Sequence, residues 1–172
     1  MIDQTGIMWS RVLRYVWASP NTLVGVAFIP CALLPRGGME IIDGVLEVHA
    51  PPIASLLRHC VPIRGGATAI TFGHIVLGCD ARSLAAARQH ERVHVRQCEV
   101  WGPAFIPAYL LASLWALVTG TGAYKGNYFE RQARGSSNRS AALLEGCRRG
   151  RLPEGLRYQR RRSGDAESCA TS

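Results

Sequence analysis

Two stretches of the chain carry no charge, and the residues between them alternate in ways that predict local structure. The first, residues 15 to 34, runs YVWASPNTLVGVAFIPCALL between Arg14 and Arg36. A bilayer span needs roughly 20 apolar residues. Ser19-Pro20-Asn21-Thr22 and Pro30 are expected to interrupt this run, leaving about a dozen unbroken residues, a signal-peptide or re-entrant length. No A-x-A cleavage site follows it. The segment reads either as membrane-embedded or membrane-surface, or as a buried helix. Residues 39 to 49, MEIIDGVLEVH, predict a hairpin turning at Asp43-Gly44, a favoured type I′ pair. Residues 50 to 66, with Pro51, Pro52, Pro62 and Gly65-Gly66, read as loop. Residues 67 to 80, rich in β-branched and aromatic side chains, predict one strand ending at Gly78. Ala81 to Glu99 predicts a helix capped by Asp80 or Ser83 and stopped by Gly102-Pro103. The second uncharged stretch, PAFIPAYLLASLWALVTG at 103 to 120, predicts an apolar helix entered through Pro103 or Pro107. Its length suits a core helix or a shallow membrane hairpin. A loop follows, then a short helix from Asn127 through YFERQAR. From Gly135 onward Gly, Ser, Arg and Glu predict disorder, with a weak helical patch at Ala141 to Glu145.

Composition adds two constraints. With 172 residues, 48% of them hydrophobic, the chain can build one compact domain with appendages. The net charge of +8 is concentrated at the C-terminus, where nine arginines from Ala133 onward face Glu145, Glu154, Asp165 and Glu167. Such a tail suits a solvated segment or an anionic lipid surface. Nucleic acid is disfavoured, since Tyr158 is its one aromatic for base stacking. The six cysteines contain no C-x-x-C pair, which argues against a zinc ribbon, a thioredoxin motif and a disulfide scaffold.

The chemistry is concentrated in QHERVHVRQCE. His90 and His94 lie roughly 40° apart on one helical face, so both imidazoles can reach one zinc ion. Glu91 lies roughly 100° from His90, placed to act as the base that takes a proton from an attacking water. Gln97, within roughly 20° of His90, faces the same way and can hydrogen-bond a ligand. Cys98 reads as a small buried thiol, and Glu99 faces away. Glu130, in NYFERQAR, is the candidate third ligand. The pattern Asn127-x-x-Glu130 also fits a capping box, so Glu130 has a structural alternative. His74 is expected at a half-exposed strand position.

HERVHVRQ, then an apolar helix, then NYFERQA resembles the minimal zincin peptidases of the gluzincin type, and small bacterial proteins with an H-E-x-x-H-x-x-Q helix. The resemblance covers about residues 67 to 134. It implies His90, His94 and Glu130 as ligands of Zn²⁺ and Glu91 as the catalytic base. It departs from the gluzincin pattern at Arg134, where many members carry an acidic residue, leaving Asp80 as a substitute. It also lacks a clearly placed oxyanion stabiliser, for which His74, Tyr109, Tyr124 and Tyr128 are candidates. The expected fold is α+β, a small zincin-like domain at 37 to 134 with a few antiparallel strands packed on the H-E-x-x-H helix. An N-terminal apolar segment (1 to 36), an apolar helix (103 to 119) and a disordered Arg-rich tail (135 to 172) complete it. The expected activity is zinc-dependent hydrolysis of a peptide or protein substrate, whose backbone the strand from His74 to Leu77 would align. The alternatives are a degenerate, non-catalytic metal-binding subunit, or a membrane-anchored basic protein with an accidental H-E-x-x-H. The expected location is a bacterial inner membrane, with the cytoplasm as the alternative.

Overall fold

A computed structural model describes residues 4–61 and 66–148. The fold is mixed α+β. In chain order it contains α1 (Gln4–Val26), a 3-10 turn (Ile29–Leu33), β1 (Gly38–Ile42), β2 (Val45–His49), α2 (Pro51–His59), β3 (Ala69–Phe72) and β4 (Ile75–Gly78). There follow α3 (Ala81–Trp101), a 3-10 corner (Gly102–Ala104), α4 (Phe105–Val118) and α5 (Tyr128–Arg148). The chain divides into two compact units, Met1–Arg134 and Gly135–Ser172. The residues discussed for function lie in the first.

The sheet runs β1-β2-β4-β3. Its outer pairs are antiparallel, but β2 and β4 are parallel, with Leu46 opposite Ile75 and Val48 opposite Leu77. The sheet is therefore mixed, where only antiparallel strands were expected. The parallel pair arises because residues 50 to 80 are not loop plus strand. Pro51 and Pro52 start α2, where a missing N–H costs nothing in the first turn. The β-prone run after it folds back at Gly73-His74 into the β3–β4 hairpin. The Asp43-Gly44 turn is as predicted, with both residues at positive φ (50° and 78°).

Alternation on the strands sends side chains to two layers. Val48, Ile75 and Leu77 pack with Ile53 and Leu57 of α2. Val45 and Val76 face Leu84 and Val95 of α3. Glu47, between them on the α3 side, is buried and bound by Arg88 through two hydrogen bonds of 2.8 and 3.0 Å. A paired guanidinium offsets the cost of burying that carboxylate.

α1 runs unbroken through Pro20, contrary to the interruption expected there. Pro20 has no N–H for the Val16 carbonyl, and the Ser19 hydroxyl donates to that oxygen instead, at 2.7 Å. α1 packs against β3, β4 and α3: a Cβ on Gly25 would lie 2.8 Å from Ile75. Residues 4 to 36 thus belong to the same unit as the sheet. α5 also differs from expectation. Disorder was expected from Gly135, but the helix continues to Arg148, carried by good helix formers including Ala141, Ala142, Leu143, Leu144 and Glu145. The arginine-rich stretch from residue 149 to the C-terminus lies outside the described residues.

Candidate metal centre

α3 begins as the sequence predicts. Asp80 accepts from the Ser83 N–H at 2.8 Å, capping the helix. It is therefore occupied at the helix end and does not supply the missing acid beside the metal ligands. Three turns later His90 and His94 project from one face, their Nε2 atoms 3.1 Å apart.

Glu130 meets them from α5. Its Oε1 lies 3.1 Å from His94 Nε2 and its Oε2 lies 3.3 Å from His90 Nε2. The capping-box alternative is answered by what Asn127 and Glu130 each bind. Asn127 Oδ1 accepts from the Phe129 N–H at 2.8 Å and so caps α5 alone. The Glu130 side chain turns away from the cap to the imidazoles. Asn127 Nδ2 donates to the Tyr109 carbonyl and to Ser113 Oγ, at 3.0 and 2.7 Å, fastening α5 to α4. The segment carrying Glu130 is thus fixed against α4 through a fully buried side chain.

The three groups fit a metal ion. Ligands on a tetrahedral zinc at about 2.0–2.1 Å lie about 3.3 Å from one another. The two Nε2 atoms, and each Nε2 with its own Glu130 oxygen, are 3.1 to 3.3 Å apart, near that edge length, and one donor atom from each of the three residues lies within 4.8 Å of the others. Glu130 Oε2 is buried and receives no well-aligned hydrogen bond. A buried carboxylate oxygen without a donor is costly, and a cation would satisfy it. Burial pushes the Glu130 carboxyl up, but contacts from His90, His94 and Tyr109 outweigh it and hold the group well below the usual range. Burial pushes the His94 imidazolium down, yet Glu130 and Glu91 outweigh this and hold its pKa above the ordinary value. The pocket therefore favours positive charge, whether a proton or a metal.

Around these ligands sit groups that orient them. Gln97 Oε1 lies 2.8 Å from His94 Nδ1. Accepting the Nδ1 proton leaves the Nε2 lone pair free to bind a metal. Gln97 is itself held by α5, its Nε2 donating to the Phe129 carbonyl and Gln132 Oε1, at 3.2 and 2.7 Å. This is the role that its helical position predicted. The Tyr109 hydroxyl donates to Glu130 Oε1 at 2.8 Å. Tyr124, pushed up to about 12 by burial and then by the Glu130 charge, stays protonated near neutrality. Of the proposed oxyanion candidates, Tyr109 and Tyr124 thus lie beside the cluster.

The other two candidates lie elsewhere. Tyr128 is exposed. His74 is buried in the β3–β4 turn, not half-exposed on a strand. It stacks on Tyr15 at 3.8 Å between centroids, with Nε2 3.2 Å from Glu99. Cys98 is a fully buried thiol, pushed up to about 12 chiefly by that burial, and does not join the ligand set. Arg134 stands 3.9 Å from Glu130 Oε2 and donates to the Lys125 carbonyl at 2.7 Å.

Comparison with family models, with curated proteins and with solved structures found no match. What the centre can do rests on its own residues.

Glu91 is buried one residue after His90, and its Oε2 accepts from Thr71 Oγ1 at 2.7 Å. Burial pushes its carboxyl up and outweighs the opposing pull of His94, Thr71 and His90, so the group is held above its ordinary value. Thr71 escaped the sequence reading: a threonine within a β-prone run carries no spacing signal. Its strand, β3, is the outer strand of the sheet on the side next to α3. The strand from His74 to Leu77, expected to align a substrate, is instead largely β4. It is paired on both sides, by β2 and β3, and has no edge to offer.

Proposed function

We propose that this chain is a zinc-dependent hydrolase of peptide bonds, built on a small zincin-like domain. The observation that carries the reading is the convergence of His90, His94 and Glu130 with their donor atoms all within 4.8 Å, with Glu91 next in sequence to one of them. Two imidazoles, one carboxylate and a free position form a ligand set found in catalytic zinc sites. Zinc held there would polarise a carbonyl and acidify water.

The protein's own residues supply the rest. Glu91 takes the proton of the attacking water and passes it to the leaving amine. Thr71 holds one carboxylate oxygen of Glu91 and leaves the other to face the reaction. Gln97 fixes the His94 tautomer, and Tyr109 holds Glu130. β3 replaces β4 as the element that aligns substrate, because an outer strand can accept an extended chain through backbone hydrogen bonds.

The test is Glu91→Gln in the full chain, assayed on unfolded protein and on mixed peptides. The amide preserves size and removes the proton acceptor. Turnover should fall by about 10²- to 10⁴-fold with zinc content unchanged. Equal turnover in wild type and variant would reject hydrolysis by this base. The specific observation favouring a non-catalytic metal-binding subunit is Arg134, whose charge stands beside Glu130. Bound zinc without turnover on any substrate would favour that second reading.

A further inference from the structure

Two helices of the first unit are apolar on the outside. α1 turns Ala18, Asn21 and Gly25 inward, all buried. It turns Leu13, Val16, Trp17, Pro20, Leu23 and Val24 outward, all exposed and repeating at three and four residues. The small residues pack and the large ones face out, the reverse of a helix on a water-soluble core. α4 does the same with Phe105 and Ala116 buried and Leu110, Leu111, Leu114, Trp115, Leu117 and Val118 exposed, Trp115 at 73% and Val118 at 74%. Its exposed apolar arc covers roughly 160° of the helix circumference.

The two surfaces are continuous. Asn21 Nδ2 donates to the Gly102 carbonyl at 2.7 Å, and Trp17 Nε1 to the Val100 carbonyl at 3.3 Å. A side chain at Gly102 would meet the Trp17 ring, so this corner needs glycine both for its φ of 53° and for the close approach. Val100 and Trp101, both exposed, extend the patch across the corner. No charged residue occurs from Val100 to Tyr124. Among the described residues one helical stretch, Ala81–Val118, is long and apolar enough to cross a membrane. α4 by itself has 14 residues, about 21 Å at 1.5 Å per residue, short of the roughly 30 Å of a bilayer core.

Basic charges flank the patch beyond α4, while Arg14, beside Leu13 at the start of the α1 stripe, stands 3.9 Å from Glu99. Beyond α4, Lys125 and Arg131 line a shallow pocket with Trp115, Tyr128, Thr119 and Thr121. Aromatic and basic side chains together mark the level of lipid headgroups. We infer that α1 and α4 embed this protein in one leaflet of an anionic bilayer, with Lys125 and Arg131 on lipid phosphates. The basic rim, in a chain of net charge +8, favours an anionic lipid surface over a second copy of the same chain. The inference is independent of the metal centre.

The experiment is flotation of the purified full chain with vesicles of phosphatidylglycerol and phosphatidylcholine, or of phosphatidylcholine alone. The protein should float with the anionic vesicles, and brominated acyl chains should quench its tryptophan fluorescence. Joint Leu111→Glu and Leu114→Glu substitution should lower partitioning by about tenfold or more. Both positions are exposed, so far-UV circular dichroism should not change. Lys125→Gln with Arg131→Gln should remove the preference for phosphatidylglycerol and leave the tryptophan quenching of the bound fraction. Glu91→Gln should float as wild type does, which separates docking from hydrolysis. A folded protein that stays with neither vesicle would overturn the inference, as would a lipid-free dimer that the two glutamates dissociate.

Discussion

Gln97 illustrates how a single position couples helix geometry to metal chemistry. It lies on the His90 face, places its Oε1 to accept a hydrogen bond from His94 Nδ1, and is held in turn by Phe129 and Gln132. Gln97→Leu keeps the bulk and removes the acceptor, so zinc affinity should fall by about 10- to 100-fold in competition against a chelator. Unchanged affinity would show that the His94 tautomer is fixed by something else. The cysteines offer a second check. Cys60 is exposed, whereas Cys98 is buried with its thiol pushed up to about 12. At pH 8 an alkylating reagent should modify Cys60 quickly and leave Cys98 intact until the chain unfolds. Equal labelling in the native state would mean that the α1–α3–α4–α5 cluster around Cys98 opens readily. At this scale H-E-x-x-H and Gln97 were legible because helical spacing assigns them a face, whereas Glu130, on a later helix, was legible only as a candidate with a capping alternative. Thr71 was not, because its partner Glu91 is 20 residues away and only the pairing of β3 with α3 brings them together.

Among the elements, α5 depends on Asn127 most. That one side chain caps the helix and supplies two hydrogen bonds to α4, beside the one from Tyr109 to Glu130. Asn127→Ala removes the cap and leaves the part-buried Tyr109 carbonyl without that donor. Denaturant unfolding should show a loss of about 1–3 kcal/mol, and zinc affinity should fall with it because Glu130 is three residues on. A variant as stable as wild type would mean that α5 is held by its apolar contacts alone. The β1–β2 hairpin and α3 could be read in advance because each has a local signal: Asp-Gly in the turn, a capping aspartate followed by helix formers. α2 was hidden because paired prolines read as loop, although they are compatible with a first helical turn. The β3–β4 turn was hidden because β-branched residues flank Gly73-His74 on both sides without a change of pattern. The continuity of α1 depends on the Ser19 hydroxyl at the Val16 carbonyl, which no propensity records.

In the whole molecule, the metal cluster joins parts distant in sequence. α3 brings two of the proposed ligands, α5 the third, α4 the tyrosine on Glu130, and β3 the threonine on Glu91. Which faces are apolar was visible along the chain, but not that α1 turns its small residues inward. The contacts of Gly25 with Ile75 and of Asn21 with Gly102 set that orientation, and both partners are far away in sequence. A metal binding to the folded form alone must stabilise it, by about 2.7 kcal/mol at a hundredfold excess over Kd. Thermal unfolding should therefore shift upward with added zinc in wild type and in Glu91→Gln, and not in His94→Ala. The most direct measurement is zinc content of the full chain purified without chelator. About one zinc per chain is expected in wild type and Glu91→Gln, with little in His94→Ala and Glu130→Ala. Wild-type protein that is metal-free, and takes up no zinc when it is added, would contradict the assignment of His90, His94 and Glu130 as a metal centre.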